Sequence, residues 1–140
     1  MNTTAIFWPM VAHVALVFFV YWLLSMRRIE AVKAGRAKPS QFRENRDEPA
    51  ESLFVRNNLE NQFQLPMLFY PLCIGLYLIG GANWIAIALA WLFVVLRYAH
   101  AWVHVTTNRI RYRRPLFIAG FLVLGALWVW FAVRLAQIGG

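Results

Sequence analysis

The sequence predicts an all-α integral membrane protein: a bundle of four transmembrane helices running up and down. Three observations carry that expectation. Of the 140 residues, 61 % are apolar and only 14 % charged, far from the make-up of a soluble domain. The segment Ile6 to Met26 has no charge and is long enough to cross a hydrocarbon core of about 30 Å. The charge is gathered elsewhere, chiefly between Arg27 and Arg56, which holds eight of the fourteen basic and five of the six acidic residues. A length of 140 residues leaves room for one domain, 1–140. Its helices are expected near 6–26, 49–79, 84–107 and 115–135, with loops at 27–48 and 108–114.

The first span begins after Met-Asn-Thr-Thr, which lacks the basic start of a signal peptide, and no small-residue cleavage site follows it. It therefore reads as a retained helix, able to continue through Arg27–Glu30 until Gly35 and Pro39 stop it. His13 within it reads as a hydrogen-bonded interior residue, with ligation as the alternative. Asp47-Glu48-Pro49-Ala50-Glu51 has the composition of a helix start, with an Asp cap, an early Pro and acids at the positive end of the dipole. The second span carries Pro66 and Pro71, which remove backbone donors and predict kinks. Gly80-Gly81-Ala82-Asn83 is an uncharged turn with Asn83 as a cap, opening the third span at Trp84. The basic run Arg109 to Arg114 ends at Pro115, which is suited to open the fourth.

A net charge of +8 would suggest nucleic acid in a soluble protein. Here the bases lie in two loops on one side of the membrane, so they orient the chain and no nucleic-acid partner is expected. The positive-inside rule puts both loops in the cytoplasm and both termini outside. Trp8, Trp84 and Trp130 would mark one interface, Trp22 and Trp102 the other. Cys73 is the single cysteine, in an apolar segment, and reads as a small core residue.

Two polar stripes need an explanation. Asn57, Glu60, Asn61 and Gln64 recur at helical spacing on the second span. On the third, Arg97, His100, His104, Thr107, Asn108 and Arg111 share a face if the helix extends that far. Polar groups facing lipid are costly, so both stripes are expected to face protein or a water-filled site. Polar glue between helices, with an Arg97–Glu60 ion pair, is the plain explanation. A cytoplasm-facing pocket rich in arginine is the other, suited to a small anionic molecule with peptide-like amides. His100 and His104 are spaced to share a metal ion or reach a haem, but no Cys or carboxylate accompanies them on that helix, and no metal site is assigned.

The run Arg56-Asn57-Asn58-Leu59-Glu60-Asn61-Gln62-Phe63-Gln64-Leu65-Pro66-Met67-Leu68-Phe69-Tyr70, followed by Arg97-Tyr98-Ala99-His100 and Asn108-Arg109-Ile110-Arg111-Tyr112-Arg113, resembles the family of membrane-associated proteins in eicosanoid and glutathione metabolism, MAPEG, especially its bacterial members. The resemblance covers Phe54 to Gly120, roughly half the chain. It implies a homotrimer of four-helix subunits in a membrane, that of a bacterium being the inner one, with glutathione bound between subunits near the cytoplasmic face. Relatives conjugate glutathione to electrophiles, reduce lipid hydroperoxides or isomerise prostaglandin precursors, so the partners implied are further copies of the chain, membrane lipid and a lipophilic small molecule.

The family's Asn-x-x-Glu signature lies on Asn57-x-x-Glu60, preceded by Arg56, or on Asn61-x-x-Gln64, the preferred register, with Glu60 retaining the charge. Its thiolate-stabilising arginine falls on Arg113, with Arg111 as the alternative, and a tyrosine of some relatives is replaced by His104. The implied glutathione site is Arg56, Asn57, Glu60, Asn61, Gln64, Arg97, His100, His104 and Arg111, with Arg113 as the catalytic residue. A fixed positive charge favours the thiolate, which is the nucleophile. A non-catalytic membrane scaffold of the same fold and a haem-binding bundle are the alternatives.

Overall fold

The computed structural model describes residues 2–140 and is helical almost throughout. Asn2 accepts a bond from the Thr4 amide and opens a 3-10 turn, Thr3–Ile6, that runs directly into α1 (Phe7–Lys33). The loop beyond is not irregular throughout: Pro39 begins a short helix, α2 (Pro39–Glu44). Asp47 does not cap the following helix; it lies in the left-handed region with φ 50°, and Pro49 takes the cap position of α3 (Ala50–Gln62).

The expected single helix over 49–79 is two helices. α3 ends at Gln62, a 3-10 turn covers Leu65–Leu68, and α4 runs Phe69–Leu78. Pro66 cannot donate to the Gln62 carbonyl, and a residue before proline disfavours the helical region, so the break falls here. Pro71 causes no kink because it is the third residue of α4, where amides have no intrahelical partner. Gly80, at φ +66°, then ends the segment in a conformation other residues adopt at a cost. Asn83 accepts from the Ala86 amide at 2.9 Å and caps α5 (Trp84–Val105) as expected.

α5 stops earlier than the second polar stripe requires. Asn108 takes the left-handed conformation, and its amide bonds the Val103 carbonyl at 2.7 Å, so Thr107, Asn108 and Arg111 leave the face of Arg97, His100 and His104. Conversely, α6 (Ile110–Gly139) starts five residues before Pro115. The arginines at 111, 113 and 114 therefore sit on its first turns, where the helix dipole repels cations.

Three of these elements are long and apolar enough to cross a membrane: Thr3–Lys33, Trp84–Val105 and Ile110–Gly139. α5 and α6 form the most extensive helix pair, and α1 packs on α3 and α5. One apolar core joins Ile6, Phe69, Leu72, Phe93 and Leu124 towards the uncharged turn. A second joins Leu16, Val20, Val55, Leu59 and Ala101 towards the basic loops. Gly75 allows α4 to approach α6 closely, since a Cβ there would lie 2.9 Å from the Phe131 ring.

The basic loop is anchored by one carboxylate. Glu48, whose side chain is 2 % exposed, accepts from Arg28 at 2.8 and 3.2 Å and from Arg56 at 2.9 Å. Burial alone would raise its pKa, but the bonds from Arg28 and Ser52 and the charges of Arg28 and Arg56 outweigh it and hold the carboxyl below its ordinary value. A depressed folded value means the contribution is present above the ordinary glutamate value of 4.5 and is lost as pH falls through the folded one. Glu48→Gln is expected to lower stability at neutral pH by about 1.5–3 kcal/mol, the range for hydrogen bonds to charged groups. Thermal unfolding in detergent should show the difference from wild type shrinking on acidification below pH 4.5; a difference constant with pH removes the charge from the explanation.

Candidate functional site

The break after α3 matters because it ends the helix beside the last turns of α5 and the first turns of α6. Between them lies a cavity of about 510 Å3, within the usual span of about 300–1,000 Å3 for small-ligand sites. Asn57, Glu60, Asn61 and Gln64 form one wall, His100 and His104 the second, and Ile110, Arg113, Arg114 and Phe117 the third. The first stripe is thus gathered as the spacing predicts, along with two members of the second. Arg113 is held by the Asn108 side chain, whose Oδ1 accepts from its Nη1 at 2.6 Å. The left-handed turn that breaks the second stripe is therefore also what aims Arg113.

Three of the expected residues do not line the cavity. Arg97 stands behind the wall, 2 % exposed, and donates to Asn61 Oδ1 at 2.6 Å, while its Nε has no partner. It forms no ion pair with Glu60, which overturns the expected Arg97–Glu60 pair; Glu60 instead lies 3.7 Å from Arg56 on its own helix. Arg97 is buried against Asn61, whereas the Glu60 side chain is turned outward and exposed. Arg56 is turned towards Glu48, and Arg111 lies over the Tyr112 ring, 5.8 Å from its centroid. Asn61 also donates to Gln64 Oε1 at 3.1 Å, so both amides of the preferred register are fixed relative to each other.

Electrostatically the cavity is cationic, with Arg113 and Arg114 against the single carboxylate of Glu60. Guanidinium groups there are suited to a carboxylate or thiolate, side-chain amides to peptide groups, and the Glu60 carboxylate to an amine. His100 and His104 pack edge to face with centroids 5.7 Å apart. No cluster of three metal-binding side chains occurs among the described residues.

α3 carries a second polar face that the spacing of Asn57, Glu60, Asn61 and Gln64 does not reveal. Asn58 and Gln62 are fully buried, roughly a third of a turn further round than Asn57 and Asn61. Asn58 contacts His104 Nδ1 at 3.2 Å, Gln62 donates to Asn58 Oδ1 at 3.2 Å, and Gln62 Oε1 lies 3.0 Å from His13 Nε2. The Tyr70 hydroxyl completes the run at His13 Nδ1. His13 is thus an interior hydrogen-bonded residue. The available signal was the spacing Ser52, Val55, Leu59, Gln62, a buried face that takes in Asn58.

A family model, described as MAPEG family, matches residues 5–133. Neither a curated protein nor a solved structure matches the chain.

Proposed function

The chain belongs to the MAPEG family, and from that premise we propose that it is a glutathione-dependent membrane enzyme, a transferase or peroxidase acting on lipophilic electrophiles or hydroperoxides. The observation that carries this reading is the cavity in which Asn57, Glu60, Asn61, Gln64, His100 and His104 meet Arg113. A tripeptide with two carboxylates, two amides, an amine and a thiol has a counterpart for each group there. Arg113 stabilises the thiolate, Arg114 and the amides hold the peptide, and Glu60 takes the amine. Arg97 acts at one remove, by fixing Asn61, while Arg56 and Arg111 are engaged outside the cavity.

In this reading Ala50 to Leu78 is the fourth crossing, broken but spanning about 40 Å at about 1.5 Å per residue. Both basic loops face the cytoplasm and both termini the opposite side, in the inner membrane of a bacterium. Glu60, Gln64, Ile110 and Arg114 leave the rim of the cavity exposed, which supports a homotrimer in which a neighbouring subunit supplies a further wall. The thiol proton leaves to water. The thiolate sulfur then bonds to carbon as a leaving group departs, or to the terminal hydroperoxide oxygen as the O–O bond breaks, giving a sulfenic acid and an alkoxide that takes a proton from water and leaves as the alcohol. In the second case another glutathione forms the disulfide and releases water.

Isothermal titration of glutathione into detergent-solubilised protein tests this directly. Saturable heat with a defined stoichiometry is expected. No heat together with an unshifted melting temperature at millimolar glutathione overturns the binding assignment.

A further inference from the structure

We infer that Tyr70, His13, Gln62 and Asn58 are positioning residues that set the tautomer of His104, so that its Nε2–H is presented to the cavity as a hydrogen-bond donor. Tyr70 closes the hydrogen-bonded run, and its hydroxyl has no other protein acceptor among the described residues, so O–H donates to His13 Nδ1. That leaves the His13 proton on Nε2, which donates to Gln62 Oε1 at 3.0 Å. The Gln62 amide donates to Asn58 Oδ1, and the Asn58 amide to His104 Nδ1, each at 3.2 Å. His104 Nδ1 is then an acceptor and carries no proton. In the neutral ring the proton sits on Nε2, the nitrogen left facing the cavity that His104 lines.

The opposite direction would need both side-chain amides turned round, with Gln62 donating to His13 and Asn58 accepting from His104, against the nitrogen and oxygen positions of these amides. One oriented run therefore sets the protonation of a ring four hydrogen bonds from its Tyr70 end. The run links α4, α1, α3 and α5; His13, Gln62 and Asn58 are fully buried and His104 nearly so, while its Tyr70 end is half-buried. At the cavity end, Nε2–H and the Arg113 guanidinium both present donors. Such a pair favours an atom bearing lone pairs and negative charge over a protonated or alkylated one. Resting on the glutathione reading, the ligand class at that point is an anionic sulfur or its oxyanion equivalent.

Nuclear magnetic resonance of protein labelled with 15N-histidine decides the tautomer without any ligand, with His104 assigned by loss of its signals in His104→Gln. Wild type is expected to show His104 protonated on Nε2 and bare on Nδ1. Asn58→Asp replaces the donating amide by an acceptor of the same shape, so Nδ1 is expected to gain a proton. Tyr70→Phe, remote from the cavity, is expected to turn the single form into a mixture, which a merely structural role would not do. A wild-type Nδ1 that already carries the proton overturns the inference, as does a His104 signature unmoved in both variants. For the ligand class, titrations compare glutathione sulfonate with S-methylglutathione. His104→Phe should lower the preference for the sulfonate about tenfold, and an unchanged preference overturns that part. Failure of both ligands to bind any form sinks the glutathione reading while leaving the tautomer result standing.

Discussion

Replacing Arg113 by alanine is expected to lower glutathione-dependent kcat by about 10²–10³-fold, the usual loss for one preorganised donor at a developing anion, with a much smaller change in KM for glutathione. Asn108 fixes the guanidinium at 2.6 Å from a turn conformation that Asn tolerates, so no reorganisation is needed when the thiolate forms. The first turns of α6 add the positive end of a 30-residue helix to the same region. A free thiol ionises at about pH 8.5, and a fixed cation lowers that value. The wild-type rate should therefore level off below that pH, whereas the Arg113→Ala rate should keep rising until the free thiol value is reached. Arg113→Lys keeps a charge but not the planar fork and should fall between. Arg111→Ala is the control, because Arg111 stacks on Tyr112 outside the cavity. A pH profile identical in wild type and Arg113→Ala would remove Arg113 from thiolate stabilisation.

The α-helical class and three of the crossings are legible in the sequence because length and apolarity suffice to define them. What is not legible is where helices break. Pro66 and Pro71 look alike in the sequence, yet one ends α3 and the other is absorbed in the first turn of α4. Pro115 shows the reverse error: it suits a helix start, but α6 begins at Ile110 because the Asn108 turn redirects the chain sooner. The stripe Asn57, Glu60, Asn61, Gln64 is recoverable from spacing alone, and it reaches the cavity intact. The burial of Asn58 and Gln62 is not, since their neighbours Asn57 and Asn61 have the same chemistry and periodicity cannot say which amide faces inward. Tertiary packing decides that, through His13, Tyr70 and His104, which lie on three other helices.

Two substitutions on one hydrogen bond are expected to move stability in opposite directions. Arg97 is a charge buried to 2 % exposure with a single neutral partner, Asn61, at 2.6 Å, and with Nε unpaired. Removing Asn61 leaves the guanidinium with no partner at that end, so Asn61→Leu should destabilise by about 1.5–3 kcal/mol. Removing Arg97 deletes the desolvated charge itself, and Arg97→Met, which keeps much of the volume, should be neutral or stabilising by up to about 1–4 kcal/mol. In the Arg97→Met background, Asn61→Leu should then cost much less, a coupling that denaturation of the four proteins in detergent would expose. The binding readout runs the other way. Arg97→Met frees Asn61, which lines the cavity, so glutathione affinity should fall although the fold is no weaker. Such a combination marks a residue kept for the site at the expense of stability. If Arg97→Met instead destabilises as much as Asn61→Leu, the guanidinium has a further anionic partner in the intact assembly, and its place behind the wall is structural.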